Sequence, residues 1–167
     1  WILISIIAFV FIATLSSFFG ENVYRSLWSN YERMEGLITY LHLLAYFFIL
    51  VDVFKTEKLW KRFFNVSLGV SAIIGVYGVL QLAGKLAIHQ SNVRLDATFG
   101  NASYLAVYML FHIFIALFYL AREKQWYRWF YIPLIALQSL ILYHTATRGA
   151  ILGLLVGLAL SVAIIAF

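Results

Sequence analysis

The sequence has no cysteine, a single proline and few charges. Without cysteine there is neither a disulfide framework nor a thiolate metal site. No Asp-x-Asp pair is present to hold a divalent ion on a sugar nucleotide, and the histidines are not spaced as metal ligands, so no metal or other cofactor is expected. No segment carries a solvated basic stripe, and nucleic acid is not an expected partner even at a formal net charge of +5. Strict polar–apolar alternation is missing as well, which excludes a transmembrane barrel.

What is there is apolar. Hydrophobic residues make up 64% of the chain, aromatics 19% and charged residues 11%. The mean hydropathy is +0.92. Six apolar runs stand out, at residues 1–19, 37–54, 63–83, 102–121, 129–144 and 150–167. Each approaches the roughly 20 residues that a helix needs to cross the hydrocarbon core, the fifth being short. Helix is the conformation expected there, because an open strand would leave backbone groups unpaired in lipid. The predicted fold is all-α, a polytopic transmembrane bundle of about six membrane helices. The chain begins at Trp1 without methionine and stops at Phe167 inside an apolar run. Residues 1–167 are therefore expected to be a partial transmembrane domain of a larger multi-span protein, with no separate soluble domain.

Orientation follows from the basic residues. Seven of the twelve Lys and Arg fall in two connections, Lys55, Lys58, Lys61 and Arg62 in the first, Arg122, Lys124 and Arg128 in the second. The positive-inside rule makes these two cytoplasmic. The remaining connections then face outward and carry Arg25, Arg33, Lys85, Arg94 and Arg148. Trp60, Trp126, Tyr127 and Trp129 fit an inner aromatic belt, and Tyr24, Trp28 and Tyr31 an outer one.

Small and polar residues inside the runs have packing readings. Gly149, Gly153 and Gly157 share one helix face and suit close helix approach, as do Ser67, Ser71 and Gly75. His42 and His112 are expected as buried neutral imidazoles bonded to neighbours, and His89 as solvated. His144 is the histidine nearest Arg148. Tyr77 and Gln81 are expected to make interhelical hydrogen bonds.

Three outward arginines lie at the starts of apolar runs, and each has two readings. Arg94 precedes Asn101 and Ser103, which are expected to cap the fourth helix. That segment reads either as a cap with an interfacial Asp/Arg pair, or as an anion site at a helix N-terminus. Arg148 follows Thr145 and Thr147. It either snorkels to headgroups or holds a phosphate bidentately with help from the hydroxyls. Arg33 lies between Glu32 and Glu35, which either neutralise it or leave it as a third anion contact.

Taken in order, these segments match a known pattern. Residues 94–106 (RLDATFGNASYLA) resemble the "R…G-T-x-G-N-x-N-x-L-A" helix entry of the O-antigen ligase and O-antigen polymerase superfamily. Residues 145–153 (TATRGAILG) look like its "T-x-S-R-G-A" turn, and residues 26–36 (SLWSNYERMEG) are similar to an Arg-x-x-Gly segment of the same proteins. Ala102 and Ser103 stand where that pattern has Pro and Asn, and Thr147 where it has Ser. The resemblance implies a GT-C-type membrane glycosyltransferase at the outer face of the bacterial inner membrane, with its site toward the periplasm or cell exterior. The donor is then a glycan on undecaprenyl diphosphate. The acceptor is lipid A–core, a growing polysaccharide or a protein, and no metal is required. By this resemblance Arg94, Arg148, Arg33, Asn101 and Thr147 would bind the diphosphate. The family's further catalytic residues lie in a large outward loop nearer the C-terminus, which this sequence does not contain, so no general base is assigned. A transporter or flippase for an anionic lipid or solute is the alternative; it would call for charged or broken helices near the midplane.

Overall fold

The structure, a computed structural model, describes residues 1–30, 35–89 and 93–166. Among the described residues it is all-helical, with no strand. Six helices fall on the six apolar runs: α1 (Ile2–Phe18), α3 (Leu37–Val53), α4 (Glu57–Leu82), α5 (Ala102–Arg122), α6 (Tyr131–His144) and α7 (Arg148–Ala166). A short helix, α2 (Val23–Trp28), and a 3-10 turn at Trp126–Phe130 lie between them. By length and composition two of these, α4 and α5, are long and apolar enough to cross a membrane. The apolar helices α1, α3 and the Arg148–Ile164 part of α7 are shorter.

Three helix starts differ from the sequence reading by two residues or more, α7 beginning at Arg148 rather than residue 150. The third run starts at Glu57 rather than residue 63. Thr56 opens it, accepting at its carbonyl from Leu59 N–H (3.1 Å) and Trp60 N–H (3.3 Å). Lys58, Lys61 and Arg62 are good helix formers and simply continue the helix into the expected loop. The fifth run starts at Tyr131 rather than residue 129, because the 3-10 turn occupies its beginning. Pro133 then lies in the first α-helical turn, where its missing N–H removes no bond.

The chain forms two compact units, Trp1–Trp60 and Lys61–Phe167. In the first, Phe9 and Tyr40 meet edge to face at 5.6 Å, joining α1 to α3. Asn22 caps α2 by accepting from Arg25 N–H at 3.0 Å. Gly36 is buried, and a Cβ there would collide with the Leu27 carbonyl. Only glycine lets the end of α2 approach the start of α3 this closely. His42 is exposed, bonding the Ile38 carbonyl of its own helix, so the expectation that it is buried is corrected.

The second unit is built around α5. Leu105, Met109, Ile113 and Ala116 recur every three or four residues and are buried along one face. Small residues let the neighbouring helices approach. On α4, a Cβ at Gly75 would lie 2.9 Å from Leu137, and one at Gly78 2.8 Å from Ile141. On α7, Gly153 faces Leu110 and Gly157 faces Phe114. Gly149 meets nothing, so the predicted glycine ridge is shorter than its spacing suggests. Polar pairs tie the interfaces: Ser67 with His112 Nε2 at 2.8 Å, and Gln138 donating to Ser71 at 2.7 Å. His112 also bonds the Tyr108 carbonyl through Nδ1, and it is buried and partnered as expected. The opposite face of α4 presents Val66, Val70, Ile73, Val76 and Val79 outward, with Ile73 71% exposed. A continuous apolar stripe of this kind calls for a non-aqueous neighbour.

Candidate functional site: an arginine-bearing turn

The site is assembled in the second unit by two connections, the α4–α5 loop and the tight α6–α7 turn. The loop is anchored from within. Gln81, on the last turn of α4, is buried, and its amide nitrogen donates to the Ala87 carbonyl (2.7 Å) and to Asp96 Oδ1 (2.8 Å). Its amide oxygen accepts from Ala97 N–H at 2.9 Å. Asp96 is fully buried, and its other oxygen accepts from the His89 backbone N–H at 2.8 Å. The His89 ring is largely exposed, as expected, with Nδ1 3.5 Å from the same carboxylate. Ala97 takes a left-handed φ of 45°, and Gly100 one of 63° that glycine adopts at little cost. Asn101 then caps α5, its side chain accepting from Ser103 N–H at 2.8 Å. Ser103 is therefore the capped residue, not a second cap.

The turn meets the loop from the other side. Leu95 N–H donates to the His144 carbonyl at 3.3 Å. Arg94 Nε donates to the Thr145 carbonyl and Nη2 to Thr147 Oγ1, both at 2.9 Å. The buried Thr145 hydroxyl donates to the Leu142 carbonyl at 2.7 Å, and Ala146 turns the chain with φ 51°. Arg148 follows at once as the first residue of α7, with its side chain exposed. Among the described residues neither Arg94 nor Arg148 has a carboxylate within 4.0 Å. The expected Arg94–Asp96 ion pair does not form: Asp96 bonds the Gln81 amide and the His89 N–H, while Arg94 bonds the Thr145 carbonyl and the Thr147 hydroxyl. Two of the five N–H groups of the Arg94 guanidinium are engaged, and its Nη1 edge has no partner among the described residues.

Of the five predicted site residues, the structure brings Arg94, Thr147 and Arg148 to one turn. Asn101 begins the helix that follows the same loop, with its side-chain oxygen engaged in the cap. Arg33 lies outside the described residues. Sequence reasoning missed Gln81 as an anchor of the loop. A lone glutamine in an apolar helix was the available signal, but its partners are loop groups, not another helix. His144, singled out for its nearness to Arg148, contributes its carbonyl.

A second polar cluster lies at the other end of the same unit. Lys61 pairs with Glu123 and donates to Tyr127 Oη at 2.9 Å, and Tyr127 donates to Glu123 at 2.8 Å. Tyr131 donates to Asn65 at 2.7 Å beside it. The hydrogen bonds from Lys61 and then Tyr127 hold the Glu123 carboxyl below its ordinary range. A groove of about 560 Å³, lined in part by Tyr24, Trp28 and His42, belongs to the first unit.

No family model, no curated protein and no solved structure matches this chain.

Proposed function

We propose that the chain is part of a membrane glycosyltransferase of the O-antigen ligase type, and that Arg94 and Arg148 bind the diphosphate of an undecaprenyl-linked glycan. In this reading α1 and α3 to α7 all span the bilayer of the bacterial inner membrane. The turn carrying Arg94, Thr147 and Arg148 faces outward, and the Lys61–Glu123 end faces the cytoplasm. The observation that carries the reading is the unspent charge of the turn. Arg94 is fixed by the Thr145 carbonyl and the Thr147 hydroxyl, and no carboxylate neutralises it or Arg148 among the described residues. A fixed cation at Arg94 beside the exposed one at Arg148, at a membrane boundary, suits an anion that is already anchored in lipid.

The chemistry follows from that charge. When an acceptor hydroxyl attacks the anomeric carbon, the bond to the diphosphate breaks and negative charge builds on the leaving oxygen. Positioned guanidinium donors in a dry site stabilise this charge without reorganising. Arginine's planar fork matters, so lysine is a poor replacement. The test is glycan transfer by the full chain in liposomes loaded with undecaprenyl-diphosphate glycan. Arg94→Lys and Arg148→Lys are expected to slow transfer about tenfold to a thousandfold while leaving the helical signal intact. Transfer at the wild-type rate by both variants would remove the diphosphate-site reading.

A further inference from the structure

We propose that Gln81 is a positioning residue for Arg94: its side-chain amide holds the 94–97 segment in the register that lets Arg94 face a diphosphate. The inference rests on the diphosphate-site reading of Arg94 and assigns a role to a residue outside the arginine motifs.

Gln81 is 3% exposed, and both ends of its amide are engaged. It sits on the last turn of a 26-residue helix, the longest rigid element of the chain. From there it reaches three points of the loop: the Ala87 carbonyl, the Asp96 carboxylate and the Ala97 N–H. The bond to Ala97 holds a residue whose left-handed φ of 45° is disfavoured for any side chain with a Cβ. The bond to Asp96 supplies a donor to a carboxylate with no solvent exposure. Segment 94–97 is thus strung between two supports. Gln81 grips it at Asp96 and Ala97, and the α6–α7 turn grips it at Arg94 and Leu95. Without the amide, a buried carboxylate loses a donor and is driven toward water. Arg94, two residues earlier, moves with it.

Binding of farnesyl diphosphate to the full chain in lipid nanodiscs tests this. Gln81→Met keeps the volume and removes the amide, and is expected to weaken binding about tenfold, the cost of one lost charge-assisted contact. In an Arg94→Ala background the same change should add no further loss of binding, although it still lowers the melting temperature. A purely structural role would lower affinity in both backgrounds. Gln81→Glu sets two carboxylates against each other and should also bind weakly. The exchange Gln81→Glu with Asp96→Asn restores a donor–acceptor pair between the two side chains, and should recover most of the affinity. If Gln81→Met does not fold, Gln81→Glu and the exchange variant carry the comparison. Wild-type affinity in Gln81→Met or Gln81→Glu, with binding lost in Arg94→Ala, would overturn the role of Gln81 and leave the diphosphate site standing. Wild-type affinity in Arg94→Ala would instead overturn the diphosphate site itself, and the positioning role with it.

Discussion

The two ends of the Lys61–Phe167 unit solve the same problem in opposite ways. Lys61 and Gln81 are 20 residues apart on α4, roughly 30 Å at the helical rise. Near Lys61 a cation and a carboxylate meet each other, with Tyr127 bridging them. Near Gln81 a cation and a carboxylate lie two residues apart in sequence and do not pair. Asp96 takes donors from an amide and a backbone N–H, and Arg94 gives its donors to a carbonyl and a hydroxyl. The first arrangement spends its charge on itself and serves as a fastener. The second orders Arg94 with neutral partners, so its positive charge is held in place and kept for something else. Hydrogen bonds to neutral groups fix geometry without cancelling a field, which is what a binding site requires.

That contrast can be broken by stability measurements. The largest effect is expected for Asp96→Ala, which takes an acceptor from the buried Gln81 amide and from the His89 N–H and empties a fully buried position. About 3 kcal/mol of stability should be lost, read as a lowered melting temperature in detergent. Glu123→Gln should cost about 1 kcal/mol or less, because Lys61 is 37% exposed and the pair is screened. A larger loss from Glu123→Gln than from Asp96→Ala would reverse the ranking on which the contrast stands.

The fastener also carries a pH signature. The Glu123 carboxyl is held below its ordinary value of 4.5 by its bonds to Lys61 and Tyr127. Its stabilisation is therefore complete above that value and is lost as pH falls through the lower folded-state value. The melting-temperature gap between wild type and Glu123→Gln should hold steady from about pH 5 to neutral pH and close as pH falls below that ordinary value. A gap that stays open in acid would show that the pair is not what holds this end. The smallest effect belongs to Arg148→Ala, whose exposed side chain supports no fold contact among the described residues. It should change stability by no more than about 0.5 kcal/mol.

How far the sequence reveals this depends on the distance over which each feature is decided. The six helices are legible because each follows from an unbroken apolar run. Their ends are less so. The basic stretch after Thr56 is loop-like by charge but helical by propensity, and the 3-10 turn before Tyr131 has no periodicity to announce it. Asn101 is legible as a cap because capping is a local act of residue type. The Arg94–Thr147 bond spans 53 residues and the Gln81–Asp96 bond 15, and neither is written in any spacing. Proximity in sequence even misleads: Asp96 looks like the natural partner of Arg94, yet burial turns it inward to Gln81. What the ordered motifs did indicate was that the segment of Arg94 and the turn of Thr145 and Thr147 belong together.

The central claim is that charge is held available at one end of the unit and cancelled at the other. It is tested most directly by the affinity of undecaprenyl diphosphate for the full chain in nanodiscs, measured for wild type, Arg94→Ala, Arg148→Ala and Lys61→Ala at one salt concentration. The account predicts that each of the two arginine substitutions weakens binding by about tenfold or more, while Lys61→Ala binds as wild type. Equal losses at all three positions, or none at Arg94 and Arg148, would contradict it.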